Sequence, residues 1–216
     1  LLLATALAVS GWDIHRQALP VLSRMGYGQS TWAALGNDFY RDPANQSINS
    51  LFHHLLTGNP HTQPWLDLGS GWANGLTWLA ALLILGLWTR RVAGLGKDDL
   101  NDGANQTSLY LSALLAMLLL PSLMWDHYTV QALPVIFWLF GRPNAVRSPG
   151  RLAAALALFA LMSIIWLYNA QEHRSGAGIL LMSIRLWPTL ILYGWLLASV
   201  RHRKTLTEPS QLEQDA

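Results

Sequence analysis

The sequence has no cysteine and little charge. None of its 216 residues is Cys and only 12% are Asp, Glu, Lys or Arg, roughly half the ~25% of a soluble domain. The first absence excludes a disulfide framework, a thiolate metal site and a cysteine nucleophile. The second argues against an ordinary water-soluble core, while the apolar content argues against disorder. What is present is apolar: 52% of residues are hydrophobic and 11 are Trp. Mean hydropathy is nevertheless only +0.26, because long polar stretches dilute the apolar ones. That combination points to a membrane protein with a sizeable extramembrane loop. The pI near 9.2 suggests a nucleic-acid binder only until the basic residues are placed.

A hydrocarbon core of ~30 Å asks for about 20 helical residues. Apolar runs of that order cover residues 72–89, 107–125, 129–141, 152–169 and 178–200, and residues 1–10 make half a span. The expected fold is therefore all-α: a polytopic membrane helix bundle with about five full transmembrane helices, a truncated first one and a helical periplasmic loop. The chain divides into residues 1–10 (the end of the truncated span), 11–71 (the loop), 72–204 (the bundle) and 205–216 (a polar, disordered cytoplasmic tail). If the runs alternate, Arg90, Arg91, Lys97, Arg142, Arg147, Arg151, Arg201, Arg203 and Lys204 fall on one side. The basic-residue rule makes that side cytoplasmic. The loop then faces the periplasm of a bacterial inner membrane, and the high pI becomes a topology signal that needs no nucleic acid.

The run 129–141 is too short to cross alone. Starting its helix at Asp126 adds about one turn and recesses Trp125, Asp126, His127 and Tyr128 into an outward-facing cavity. In the loop, Asn45 can cap a helix whose Ile48, Leu51, Phe52, Leu55 and Leu56 share one face. Gly58 and Pro60 end it, and its other face offers Gln46, Asn49, Ser50, His53 and His54. Such a helix lies either on the membrane surface or against the bundle.

No P-loop, dinucleotide fingerprint, zinc-protease motif or nucleophile elbow occurs. Three places can carry chemistry. At residues 125–128, His127 beside Asp126 can bind an anion or shuttle a proton; an interfacial aromatic belt with a capping Asp is the alternative. At residues 45–50, amides and hydroxyls at a helix start suit an anion or sugar hydroxyls, or else serve only as caps and loop hydrogen bonds. Arg185 lies inside the last apolar run. It is either a phosphate clamp or a snorkelling or ion-paired side chain, with Glu172 or Asp126 as the partner. His53 and His54 are adjacent and diverge by ~100° on a helix, so no metal site is expected, and no cofactor.

The stretches Gln17 to Ser23, Asn45-Gln46-Ser47-Ile48-Asn49-Ser50, and Pro121-Ser122-Leu123-Met124-Trp125-Asp126-His127-Tyr128 with Pro134 together resemble glycosyltransferase family 87. The resemblance covers roughly residues 12–140. The family's Ser-Pro order is reversed at Pro121-Ser122, Met124 and Ser50 stand where Ser and Gly are usual, and Tyr128 replaces a second His. A stretch around residues 26–42 lengthens the loop. The resemblance implies a GT-C membrane bundle that transfers a sugar, mannose in the family's pattern, from a polyprenyl-phosphate donor to a glycolipid or glycan hydroxyl. The site lies on the periplasmic face, and no cofactor is needed. It implies His127 and Asp126 as catalytic residues, and Asn45, Gln46, Asn49, Trp125, Tyr128 and Arg185 as substrate-binding ones. It places the acceptor's base upstream of Leu1, making this chain a C-terminal portion; Asp13 is a weaker candidate. A transporter or lipid flippase is the alternative, although no inverted repeat is visible.

Overall fold

The computed structural model describes residues 11–14, 16, 17, 20, 26–30, 36, 38–141, 149–164, 167 and 169–201. The half-span expected at 1–10 and the tail at 205–216 lie outside them. The described residues are all-helical, without a strand; Gln63 and Ser175 form an isolated bridge. In chain order the helices are α1 (Ile48–Leu56), α2 (Ser70–Ala93), α3 (Lys97–Asn101), α4 (Gly103–Leu119), α5 (Leu133–Gly141), α6 (Pro149–Ser163), α7 (Gly178–Met182) and α8 (Leu186–Ser199). Turns of 3₁₀ helix cover Phe39–Arg41, Asp126–Ala132 and Gln171–His173.

The five full spans read from the sequence are not reproduced. Among the described residues only α2, with 24 residues and ~36 Å of length, is long and apolar enough to cross a bilayer. Helices α6 and α8 are apolar but have 15 and 14 residues, and α4 has 17. Two prolines shorten α4 and α8. Pro121 has no N–H to continue the helical ladder, and the helix in the run 107–125 ends at Leu119. The run 178–200 is not one helix but two, interrupted over Ser183, Ile184 and Arg185, where Pro188 leaves the Ile184 carbonyl without its helical donor.

The core lies between α4 and α8, which share the most extensive helix–helix contact. Leu111, Leu115, Leu118 and Leu119 interleave there with Leu192, Leu196 and Leu197. The pair is antiparallel, because the start of α4 is tied to the end of α8. The Asn105 amide donates to the Arg201 carbonyl (2.9 Å) and accepts from its N–H (3.0 Å). Helix α2 joins through the Tyr193 hydroxyl, which donates to the Ile84 carbonyl (2.6 Å), and through the Trp88 indole, which donates to Ser112 Oγ (3.2 Å).

These ties give the bundle two ends. One gathers Arg91, Asn105 and residues 199–201; the other gathers Tyr27, residues 45–50, 120–124 and 182–185. Helix α2 buries only Ala73, Thr77, Ala81 and Ile84, a single stripe at helical spacing. Trp78, Leu79, Leu82, Leu83, Leu85 and Leu87 point outward.

Candidate functional site

The start of α1 organises the second end. Ser47, not Asn45 as expected, is the N-cap: its Oγ accepts from the Ser50 N–H (3.1 Å). Asn45 sits two residues earlier, and all four of its hydrogen-bonding positions are filled. Its Oδ1 accepts from the N–H groups of Ser47 (3.1 Å) and Met124 (2.9 Å). Its Nδ2 donates to the carbonyls of Phe39 (3.2 Å) and Ser122 (3.1 Å). The Ser122 carbonyl also accepts from Ser47 Oγ (2.9 Å) and Asn49 Nδ2 (3.3 Å). The Gln46 N–H donates to the Met124 carbonyl (2.9 Å). Three side chains of one short segment thus converge on the strand of chain that leads into His127.

Gln46 satisfies the interrupted helix. Its carboxamide donates to the Met182 carbonyl (3.1 Å) and accepts from the Arg185 N–H (3.2 Å). Those are backbone groups that a continuous helix would pair internally. A second donation, to the Pro43 carbonyl (3.0 Å), fixes the amide in place. The side chain therefore stands in for the missing turn, which makes the break cheap in a buried setting. The break at residues 183–185 corrects the single span expected over residues 178–200.

The amides of Asn45, Gln46 and Asn49 accordingly meet protein, not open space. All three residues are buried, and their contacts are those of the structural alternative, capping and loop hydrogen bonding. The polar face of α1 is the more buried one: Ser50, His53 and His54 are inside, whereas Phe52, Leu55 and Leu56 of the apolar face are only partly covered. Of the two placements expected for this helix, the one against the bundle is observed.

Asp126 opens the 3₁₀ turn, where an extra turn ahead of the short run was expected; its side chain lies outside what the structure describes. Trp125 is half-buried, edge-on to Phe39 with ring centroids 5.4 Å apart. Its carbonyl accepts from the Tyr128 N–H (2.9 Å). His127 is exposed, and its ring meets the Tyr128 ring edge-on at 4.4 Å. His127 is one of the residues lining a cleft of about 210 Å³ between α5 and α6. Val130, Leu133, Ile136, Phe159 and Met162 line that cleft, with Thr129 and Ser163 as its hydroxyls. An apolar slot with one histidine in its lining suits a ligand with a hydrocarbon chain and an anionic head.

Arg185 begins α8 and is 4% exposed, so it does not snorkel. Its Nε donates to the Ile164 carbonyl (3.2 Å), just past α6, and its own carbonyl accepts from Thr189 Oγ1 (2.8 Å). The candidate places are thus linked: Asn45 reaches the His127 junction and Gln46 reaches Arg185.

Two partners in this network went unnoticed in the sequence. Asn74 Oδ1 accepts from His53 Nε2 (2.9 Å), and the signal for it was a lone amide in an otherwise apolar run. Gly28, at φ +67°, donates its N–H to Asn49 Oδ1 (3.2 Å). A Cβ there would lie 2.4 Å from Asn74 Oδ1, so only glycine fits. Tyr27 adds a donation to the Leu120 carbonyl (2.6 Å). The stretch around residues 26–42, read as a loop extension, therefore contributes to the network.

The buried histidines make stability depend on pH. Burial pushes His54 down to about 3, with the neighbouring charges of His53 and His61 adding to the effect. Burial lowers His53 too, against the opposing hydrogen bond that its ring N–H donates to Asn74. A folded-state value below the unfolded one means the unfolded chain binds more protons, so stability falls as pH drops from ~6.5 towards ~3. Thermal stability in detergent is expected to weaken over that window by up to ~1.4 kcal/mol per pH unit for the buried His54 imidazole, with His53 acting in the same direction. His54→Gln should flatten the profile. A flat wild-type profile would contradict a neutral, buried His54.

No family model matches this chain, and no curated protein or solved structure shows significant similarity to it.

Proposed function

We propose that the chain is part of a polytopic membrane glycosyltransferase, a hexosyltransferase of mannosyltransferase type, that uses a polyprenyl-phosphate sugar donor at the end of the bundle holding His127. The observation that carries this reading is the apolar cleft between α5 and α6 with His127 in its lining. In this reading the cleft takes the first isoprene units of the carrier and His127 faces the phosphate that departs from the sugar. A protonated imidazole there stabilises the developing charge. Trp125, Asp126 and Tyr128 flank His127 in the chain and are assigned to the sugar. Asn45, Gln46 and Asn49 hold that junction in register, and buried Arg185 adds positive charge from a low-dielectric site.

The bilayer setting is supported by α2. A water-exposed helix turns a polar face outward, whereas the outward face of α2 is Trp and Leu. Arg90, Arg91 and Arg201 belong to the opposite end of the bundle from the His127 junction, which supports a cytoplasmic assignment for that end and a periplasmic one for the cleft.

The test is sugar transfer in proteoliposomes from a labelled polyprenyl-phosphate mannose to a glycolipid acceptor. Met162→Trp, which fills the cleft, is expected to raise the donor KM about tenfold or more while the fold persists. An unchanged KM would remove the carrier from the cleft. The interruption between α7 and α8 favours a second reading, a transporter or lipid flippase, because discontinuous helices line substrate paths. Movement of a polyprenyl phosphate across the vesicle bilayer without any transfer would select it.

A further inference from the structure

The opposite end of the bundle holds a second cavity, of about 630 Å³, between the ends of α2 and α8. Leu87, Gly94, Leu197 and Ala198 line it, and its charged lining residues are both cationic, Arg90 and Arg91. Arg91 donates from its terminal nitrogen to the Val200 carbonyl. Its Nε is buried and has no hydrogen-bond partner among the described residues. Leaving a guanidinium donor buried and unpaired is costly, so an acceptor at that position is favoured. Arg90 is exposed one position earlier; the two side chains leave the helix ~100° apart, but both line the cavity. Leu87 continues outward along α2 into exposed Leu83 and Leu79, an i, i+4, i+8 stripe.

We infer that this cavity binds an anionic phospholipid, with the phosphodiester between Arg90 and Arg91 and an acyl chain along Leu87, Leu83 and Leu79. Two arginines match the charge and fork geometry of a phosphate, and the apolar stripe begins where the chain would leave the headgroup. A soluble phosphate would use the arginines and leave the stripe idle. Basic pockets at the cytoplasmic ends of membrane helices recognise lipid headgroups in this way. The inference rests on the bilayer setting proposed above, and not on sugar transfer.

The experiment is lipid retention by the full chain, purified in detergent, offered phosphatidylglycerol or phosphatidylcholine vesicle lipid and read by native mass spectrometry. Phosphatidylglycerol is expected to be retained preferentially. Arg90→Gln, which breaks no described contact, should lower that retention about fivefold, while Arg90→Lys keeps most of it. Equal retention of the two lipids, or an Arg90→Gln variant that retains phosphatidylglycerol like wild type, would overturn the proposal. So would displacement of the lipid by millimolar inorganic phosphate, which would make the occupant a free anion. Release of the chain from membranes by alkali would overturn the bilayer setting together with this site. Firm retention without lipid preference would overturn this site alone.

Discussion

Asn45→Ala is expected to destabilise the protein by roughly 3–5 kcal/mol, since each buried group left unpaired costs about 1–3 kcal/mol. The side chain satisfies the N–H groups of Ser47 and Met124 and the carbonyls of Phe39 and Ser122. The Ser122 carbonyl keeps Ser47 and Asn49 as donors, so the loss falls mainly on the other three. Asn45→Asp should be at least as harmful despite its matched shape. A carboxylate cannot donate to Phe39 and Ser122, and burying it beside two carbonyl oxygens carries a desolvation cost as well. Thermal unfolding in detergent measures both. A change below ~0.5 kcal/mol, the usual range for a surface substitution, would show that the amide does not hold the junction.

His127→Ala is expected to behave in the opposite way, with sugar transfer falling by ~10²–10⁴-fold, the usual worth of a positioned acid or base, while unfolding barely moves. The side chain is exposed and its described neighbour is the Tyr128 ring. Truncation therefore strands no buried polar group. The contrast between the two variants separates positioning from chemistry. Asn45 acts through the fold and His127 through the reaction, and a His127→Ala enzyme with full transfer would remove the imidazole from the mechanism.

How much of this was legible in the sequence depends on the range of the interaction. The helix at Ile48–Leu56 followed from a local 3.6-residue pattern, and the start of helical structure at Asp126 from a length argument. The all-helical class followed from long apolar runs. What escaped were contacts distant along the chain. The break in the run 178–200 has one local signal, Pro188, which cannot donate to the Ile184 carbonyl, but the group that satisfies the broken turn, Gln46, lies more than a hundred residues earlier. The cap moved from Asn45 to Ser47 because Met124 and Ser122 compete for the Asn45 amide. Dense amides at a helix start read equally well as ligand donors or as structural ones, and only the placement of residues 122–124 decides between them. The shortening of α4 was partly visible at Pro121, whereas the outward Trp and Leu face of α2 needed the packed bundle to define an outside.

The central claim is that the His127 cleft receives the carrier of a lipid-phosphate sugar. A photoactivatable polyprenyl-phosphate sugar, cross-linked to the chain in proteoliposomes and mapped by mass spectrometry, tests it most directly. The account predicts labelling at residues 127–136 and 159–163, competed by unlabelled polyprenyl phosphate and not by a nucleotide sugar. Labelling confined to other helices, or competition by the nucleotide sugar alone, would contradict it.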